Sequence, residues 1–239
     1  MTKREQRQRT EAALLAIELA ARRTLRRGLR LILGHHAAIR PDDPVGAAVA
    51  AGRDLEAVVA RQVVVARQAA GRGGVAAVRR ELDLPRIAPA PTKAGPVGSP
   101  YRGYAPWPPP GSGIAAETIG ARAGELLVQR AGAATLAEAR PAVESRLDTI
   151  AATETAAAFH QGREAAVRDA VDAAALVEDE ILMQWSSVLD RATCALCGSL
   201  HGELAPLGRS FPGGYVPGLV HARCRCIAFP VRRAATRAA

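Results

Sequence analysis

The chain has 239 residues, 49% of them hydrophobic, which is enough for one large domain or two small ones with a real core. Much of that share is alanine and only 3% of residues are aromatic, so closely packed helices are favoured over a core of large side chains. The net charge is +9, and no run of about 18 apolar residues occurs, which excludes a transmembrane helix from the expectations.

The first ten residues are basic, but Glu11 and Glu18 break the apolar run after them, unlike a signal peptide. The expected compartment is a cytoplasm, where structural disulfides are disfavoured. Charge is uneven along the chain. Residues 1–84 carry 16 basic and 9 acidic groups, whereas residues 114–180 carry 6 basic and 12 acidic ones. A basic surface of this kind attracts DNA non-specifically, although arginines on solvated helix faces account for the same composition.

In chain order, residues 3–33 read as a helix, with Leu14, Ile17, Ala21, Leu25 and Ile32 at helical spacing and Gly34 as its stop. Pro41 and Pro44 mark a turn. A second helix is expected over residues 45–70, capped by Asp42 or Asp43, with Val49, Val58, Val59, Val63 and Ala66 on its buried face. Gly71, Gly73 and Gly74 are expected to interrupt it before a short helix at residues 75–82. Residues 85–113 hold nine prolines and five glycines, with Tyr101, Tyr104 and Trp107 among them. That composition reads as a linker, or as an arm that docks its aromatics on another subunit.

Ser112 is a candidate cap for a third helix over residues 114–140, weakened by Gly120, Gly124 and Gly132. Pro141 suits the first turn of a fourth helix running to His160. Gly162 is expected to break it, and a fifth helix is expected over residues 164–180. Ile181 to Leu189 reads as a strand, with further short strands at residues 203–207 and 227–231. The fold class expected is therefore mainly α, with long helices followed by a small Cys-rich α+β C-terminal unit. The corresponding divisions are a basic helical region at 1–84, the linker or arm at 85–113, a helical part at 114–180 and a Cys-rich unit at 181–239.

All four cysteines lie within 33 residues. Cys194 and Cys197 form a CxxC pair, whose turn lets two sulfurs converge on one ion. The second half supplies His221, Cys224 and Cys226. A tetrahedral zinc site needs four ligands from these five. Four thiolates, or Cys194, Cys197 and Cys224 with His221, both satisfy that count. In an extended chain, residues two apart face the same side, so the CxC pair is feasible. The last 59 residues are too few and too turn-rich for a good core, and small units of this kind need a staple. Zinc as a structural ion, disulfides formed on oxidation and free thiols remain open on these grounds.

Enzyme readings are poorly served. His201 and Glu203 match the HxE of zinc deaminases, but there a PCxxC follows, whereas here CxxC precedes. A zinc-stapled nuclease would need further catalytic groups, for which only Asp190 and His201 are at hand. HExxH, GxSxG and a phosphate-binding glycine loop are missing.

Three segments in order resemble the phage Mu F-like head-morphogenesis family of minor capsid proteins. Ile150 to Thr155, continuing through Phe159, His160, Gly162 and Arg163, is similar to that family's helical "TET…N.G" segment. Trp185, Asp190, Thr193, Cys194, Cys197 and the run Leu200-His201-Gly202 resemble its "W…D.RTC..C..LDG" stretch. Pro217, His221, Cys224, Arg225 and Cys226 resemble its "P..HP.CRC" ending, with Ala222 where proline is usual. The resemblance spans roughly residues 115–231. It implies a low-copy virion protein at the capsid interior or portal vertex, present in the host cytoplasm during assembly. Its implied partners are the portal protein or the major capsid protein, with non-specific contact to packaged DNA, no membrane and no enzymatic activity. Thr153, Glu154, His221 and Cys224 become fold and assembly residues by the same resemblance. The rival expectations are a DNA-binding zinc-knuckle protein and a zinc-dependent hydrolase or toxin-like enzyme.

Overall fold

The computed structural model describes residues 3–40, 42–84, 114–132 and 135–233. Four helices form the body: α1 (Lys3–Ile39), α2 (Pro44–Glu81), α3 (Ala116–Gly132) and α4 (Leu136–Asp172). Helix α2 lies at the centre, packed against the other three, and α4 also touches α1 and α3. Leu25, Leu29 and Leu33 of α1 meet Leu55, Val59 and Val63 of α2, Leu127 of α3, and Val143 and Leu147 of α4 in one apolar cluster. The chain is thus mainly α, as expected, and among the described residues no helix is long and apolar enough to cross a membrane.

The helices differ from the expected ones at their glycines. Helix α1 runs past Gly34, which is exposed and meets no neighbouring atom, so its missing side chain is merely tolerated there. Helix α2 runs unbroken through Gly71, Gly73 and Gly74, and α4 runs through Gly162. These glycines serve a crossing rather than a break. A Cβ on Gly162 would stand 2.1 Å from the Gly71 carbonyl oxygen, and one on Gly74 would stand 2.1 Å from that of Phe159. Backbone touches backbone, which only glycine permits. Tertiary packing therefore overrides glycine's low helix propensity, a loss of about 1 kcal/mol per residue.

Other boundaries shift for local reasons. Asp43 caps α2 by accepting a hydrogen bond from the Gly46 amide at 2.8 Å. Helix α4 starts at Leu136 rather than Pro141, because Thr135 and Glu138 form a reciprocal capping box that supersedes the proline as a start signal. It ends at Asp172, so the helix expected through Glu180 stops early, and an exposed single turn at Glu178–Glu180 follows. Val49, expected on the buried face, is 38% exposed. Ser112 and the 85–113 segment lie outside the described residues.

The C-terminal unit is a three-stranded antiparallel sheet ordered β2-β1-β3, from β1 (Ile181–Ser186), β2 (Leu204–Pro206) and β3 (Ile227–Arg232), with the short helix α5 (Ala195–Ser199) between β1 and β2. Burial alternates along β1, with Ile181, Met183 and Trp185 inward. Those side chains meet Val167 of α4 and Val78 of α2, and Trp185 stands edge-on to Phe211 with centroids 5.0 Å apart.

One buried ion pair joins body to sheet. Arg163 of α4 has no exposure; it donates to both carboxylate oxygens of Glu81 at 2.8 and 2.5 Å and, through Nε, to the Ala228 carbonyl of β3 at 2.9 Å. Thr10 of α1 donates to the same Glu81 carboxylate at 2.6 Å. Arg163 also lies over the Phe229 ring, 4.6 Å from its centroid.

The crossing makes a graded prediction. Gly162→Ala is expected to lower the unfolding free energy by at least about 1–3 kcal/mol through overpacking, whereas Gly34→Ala should raise it by about 0.5–1 kcal/mol; urea unfolding of both measures the contrast. A second prediction concerns His160, which is buried in α4 with an unpartnered Nδ1. Burial pushes its pKa down from 6.5 to about 4, against a partial upward pull from Glu164. The unfolded chain therefore binds the extra proton first as pH falls. The stabilising contribution is complete above about pH 6.5, is lost progressively toward pH 4, and amounts to on the order of 3 kcal/mol. His160→Gln should flatten the stability profile between pH 6.5 and 4.

Candidate metal centre

The sheet's loops carry the cysteines, and each half of the cluster is held by its own turn. After β1 the chain passes Leu189 at φ 58 into a turn organised by Asp190. The Asp190 amide donates to the Thr193 hydroxyl at 3.1 Å, while its carboxylate accepts from the Ala192 amide at 3.0 Å and from the Thr193 hydroxyl at 3.2 Å. That turn delivers Cys194 to the start of α5, where its sulfur caps the helix by accepting from the Cys197 amide at 3.3 Å. Cys194 and Cys197 are thereby fixed one helical turn apart.

The second half is docked on α4. Arg223 sits in the left-handed region at φ 62, a conformation costly for a residue with a side chain. It is held there by three hydrogen bonds: its amide to Thr153 Oγ1 at 3.1 Å, Nε to Thr149 Oγ1 at 2.9 Å, and a terminal nitrogen to the Ser145 carbonyl at 3.1 Å. The reversal separates His221 from Cys224. Beyond it Cys224 and Cys226 are both buried, while Arg225 between them is exposed, as extended alternation requires. Arg225 turns back to Asp190 with two bonds of 2.7 Å, linking the halves. Those bonds lower the Asp190 carboxyl to about 2.

All five expected donors come together. Cys194 Sγ and Cys197 Sγ each lie 3.3 Å from His221 Nε2, and Cys197 Sγ lies 3.9 Å from Cys224 Sγ. The donors form two overlapping groups, Cys194–Cys197–His221 and Cys197–Cys224–Cys226, which share Cys197. All four cysteines are free thiols. His221 Nδ1 is 2.8 Å from the Ala222 carbonyl, so it carries the proton there and leaves the Nε2 lone pair facing the sulfurs.

Electrostatics distinguish the sulfurs. The Cys224 thiol is pulled down to about 5, mainly by a hydrogen bond from the Cys226 thiol, against the cost of burial. Cys226 is raised by that same bond and by burial; it also faces Cys197 and lies 3.5 Å from Ser187 Oγ. Burial pushes Cys197 up to about 12, whereas Cys194 is lowered by the Cys197 amide. His221 is raised, chiefly by the Ala222 carbonyl.

Sequence reasoning missed several supporting residues. Ser187 accepts from Trp185 Nε1 at 3.1 Å and donates to the Cys197 carbonyl, tying β1 to α5. His201 accepts the Ser187 amide at Nδ1, 3.1 Å away, which gives the histidine of the Leu200-His201-Gly202 run a strand-end role. Among the described residues neither His201 nor Glu203 joins a donor group. Glu154 pairs with Arg67 in the core, 2.8 Å from its Nε. The one legible signal for the dock was the i, i+4 spacing of Thr149 and Thr153, which puts both hydroxyls on one helix face.

Fold and site together define a helical bundle that carries a small sheet with a Cys/His cluster at its loops. Residues 124–229, somewhat less than half of the chain, match the family model described as Phage Mu protein F like protein, and this stretch is similar to that family. The matched stretch contains all five donors, Thr153 and Arg163. No curated protein and no solved structure matches the chain.

Proposed function

We propose that the chain is a minor head protein of a tailed phage, acting in assembly at the capsid interior or portal vertex and not as an enzyme. The observation that carries this reading is the family match over 124–229, which coincides with the segment that docks the cysteine unit on α4. In this reading the helical body contacts the portal protein or the major capsid protein, and the C-terminal unit is a rigid end. The basic helix α1 exposes Arg23, Arg27 and Arg30 at helical spacing, which suits non-specific contact with packaged DNA. The working divisions are 1–84, 85–113, 114–180 and 181–239. An arrangement for hydrolysis is not favoured, because His201 bonds to the Ser187 amide and Glu203 is exposed away from any donor group.

The cluster itself is read as a structural zinc site held by Cys194, Cys197, His221 and Cys224. Tetrahedral zinc takes sulfur at about 2.3 Å and nitrogen at about 2.0–2.1 Å, so neighbouring donors stand roughly 3.5–3.8 Å apart. The Cys194–His221 and Cys197–His221 spacings of 3.3 Å and the Cys197–Cys224 spacing of 3.9 Å are close to that, with Cys224 reaching the other donors through the shared Cys197, and His221 already presents Nε2. Bound zinc would supply a cross-link between the α5 turn and the loop before β3. Cys226 would remain a thiol that donates to Cys224 and contacts Ser187.

Two measurements test these readings. Elemental analysis of the purified chain should give about one zinc per chain. Cys194→Ser and His221→Ala should release it and lower the melting temperature, while Cys226→Ser should keep it. Metal-free wild-type protein would sink the zinc reading, and release from Cys226→Ser with retention in His221→Ala would shift it to four thiolates. For assembly, the tagged full chain co-expressed with its phage's portal and major capsid proteins should co-sediment with procapsids or the portal. Recovery only as free protein would overturn the head-protein reading.

A further inference from the structure

A cleft of about 250 Å³ lies between α3, α4 and the loop that carries His221. Ile114, Ile119, Ile150 and Leu219 line it, together with Arg122 and Arg146. Ile119 and Ile150 are nearly buried, whereas Ile114 and Leu219 are 37% and 38% exposed, so apolar surface is left facing the opening. The space is smaller than a drug-sized pocket, typically about 300–1,000 Å³, and suits a single side chain.

We propose that this cleft receives one apolar side chain from an acidic segment of a partner protein. Charge decides the flanks. Arg122 and Arg146 are exposed and make no ion pair among the described residues. The one carboxylate in the lining, Glu154, is engaged by Arg67 in a pair that is 5% and 4% exposed, so it does not offset them. Among the lining residues the charged groups without an ion pair are these two guanidiniums, and an approaching carboxylate finds two forked donors. Leu219 is placed firmly because Arg223, four residues on, is bonded three times to α4.

Two other occupants fit less well. The ring in the lining is that of His221, whose nitrogens face the Ala222 carbonyl and the Cys194 and Cys197 sulfurs, and the lining offers no phenyl, phenol or indole platform for a nucleic-acid base. The chain's own 85–113 segment has three basic and no acidic groups, so it lacks the carboxylates that the two arginines would receive. The inference needs neither the zinc reading nor the phage reading, since its test uses the purified full chain alone.

The probe is a fluorescent pentapeptide with one leucine between two aspartates on either side, compared with the same peptide carrying lysines. Fluorescence anisotropy should show saturable binding of the acidic peptide, at least tenfold tighter than the basic one. Arg122→Glu combined with Arg146→Glu should weaken it at least tenfold, with the circular dichroism spectrum unchanged. Leu219→Trp keeps both arginines and fills the cleft, and it should weaken binding equally if the leucine enters. Equal affinity for both peptides, or unchanged affinity in either variant, would overturn the proposal. Displacement of the acidic peptide by a short oligonucleotide, or by a peptide of residues 96–110, would overturn it in favour of that occupant.

Discussion

A guanidinium with no contact to water needs a partner for each of its nitrogens, and Arg163 is where this chain meets that demand. Its partners are a carboxylate at the end of α2 and a carbonyl of β3, and the same carboxylate accepts a hydroxyl from α1. Four elements therefore share one buried polar network. Removing either charge would strand the other in the interior at a cost of about 3–5 kcal/mol. The pair is more informative about geometry than about net stability, because its separation from water offsets much of its attraction. It fixes the angle at which the sheet sits on the bundle, and the cysteine loops hang from that sheet.

The helical body reaches a dense core by another route. With few large side chains to bury, α2 approaches α3 and α4 at glycine contacts until backbones touch, and the alanines of α4 from Ala151 to Ala158 line the interface. Close approach substitutes many short contacts for a few bulky ones. This also explains why α4 can be buried along most of its length yet contain Glu154, Thr155, His160 and Arg163. Glu154 and Arg163 are bonded across to other elements, Thr155 donates back to the Ala151 carbonyl of its own helix, and His160 is held toward its neutral form by burial.

The C-terminal unit is stapled in two places. Asp190 and Arg225 link the loop after β1 to the loop before β3, and Arg223 binds that second loop to α4 through Thr149, Thr153 and Ser145. The five sulfur and imidazole donors lie between those staples. A unit with so small a sheet would otherwise lose its loops to chain entropy. The strained backbone at Arg223 is tolerated because three bonds hold it.

Composition and spacing determined a good deal by themselves. The alanine share and the scarcity of aromatics favoured a helical body, the large apolar residues of Ile181–Leu189 marked the strand that contains β1, and the clustering of Cys194, Cys197, His221, Cys224 and Cys226 in the last part of the chain pointed to one region where they could meet. Where the helices stop was decided only in three dimensions. Gly71, Gly74 and Gly162 look like breaks in a one-dimensional pattern, since glycine's helix penalty is local, but the gain from packing α2 against α4 is not. The same holds for the dock of Arg223 on Thr153 and for the pairing of Arg163 with Glu81, which join residues 70 and 82 positions apart. No periodicity encodes such contacts, because they exist only once the chain has brought distant segments together.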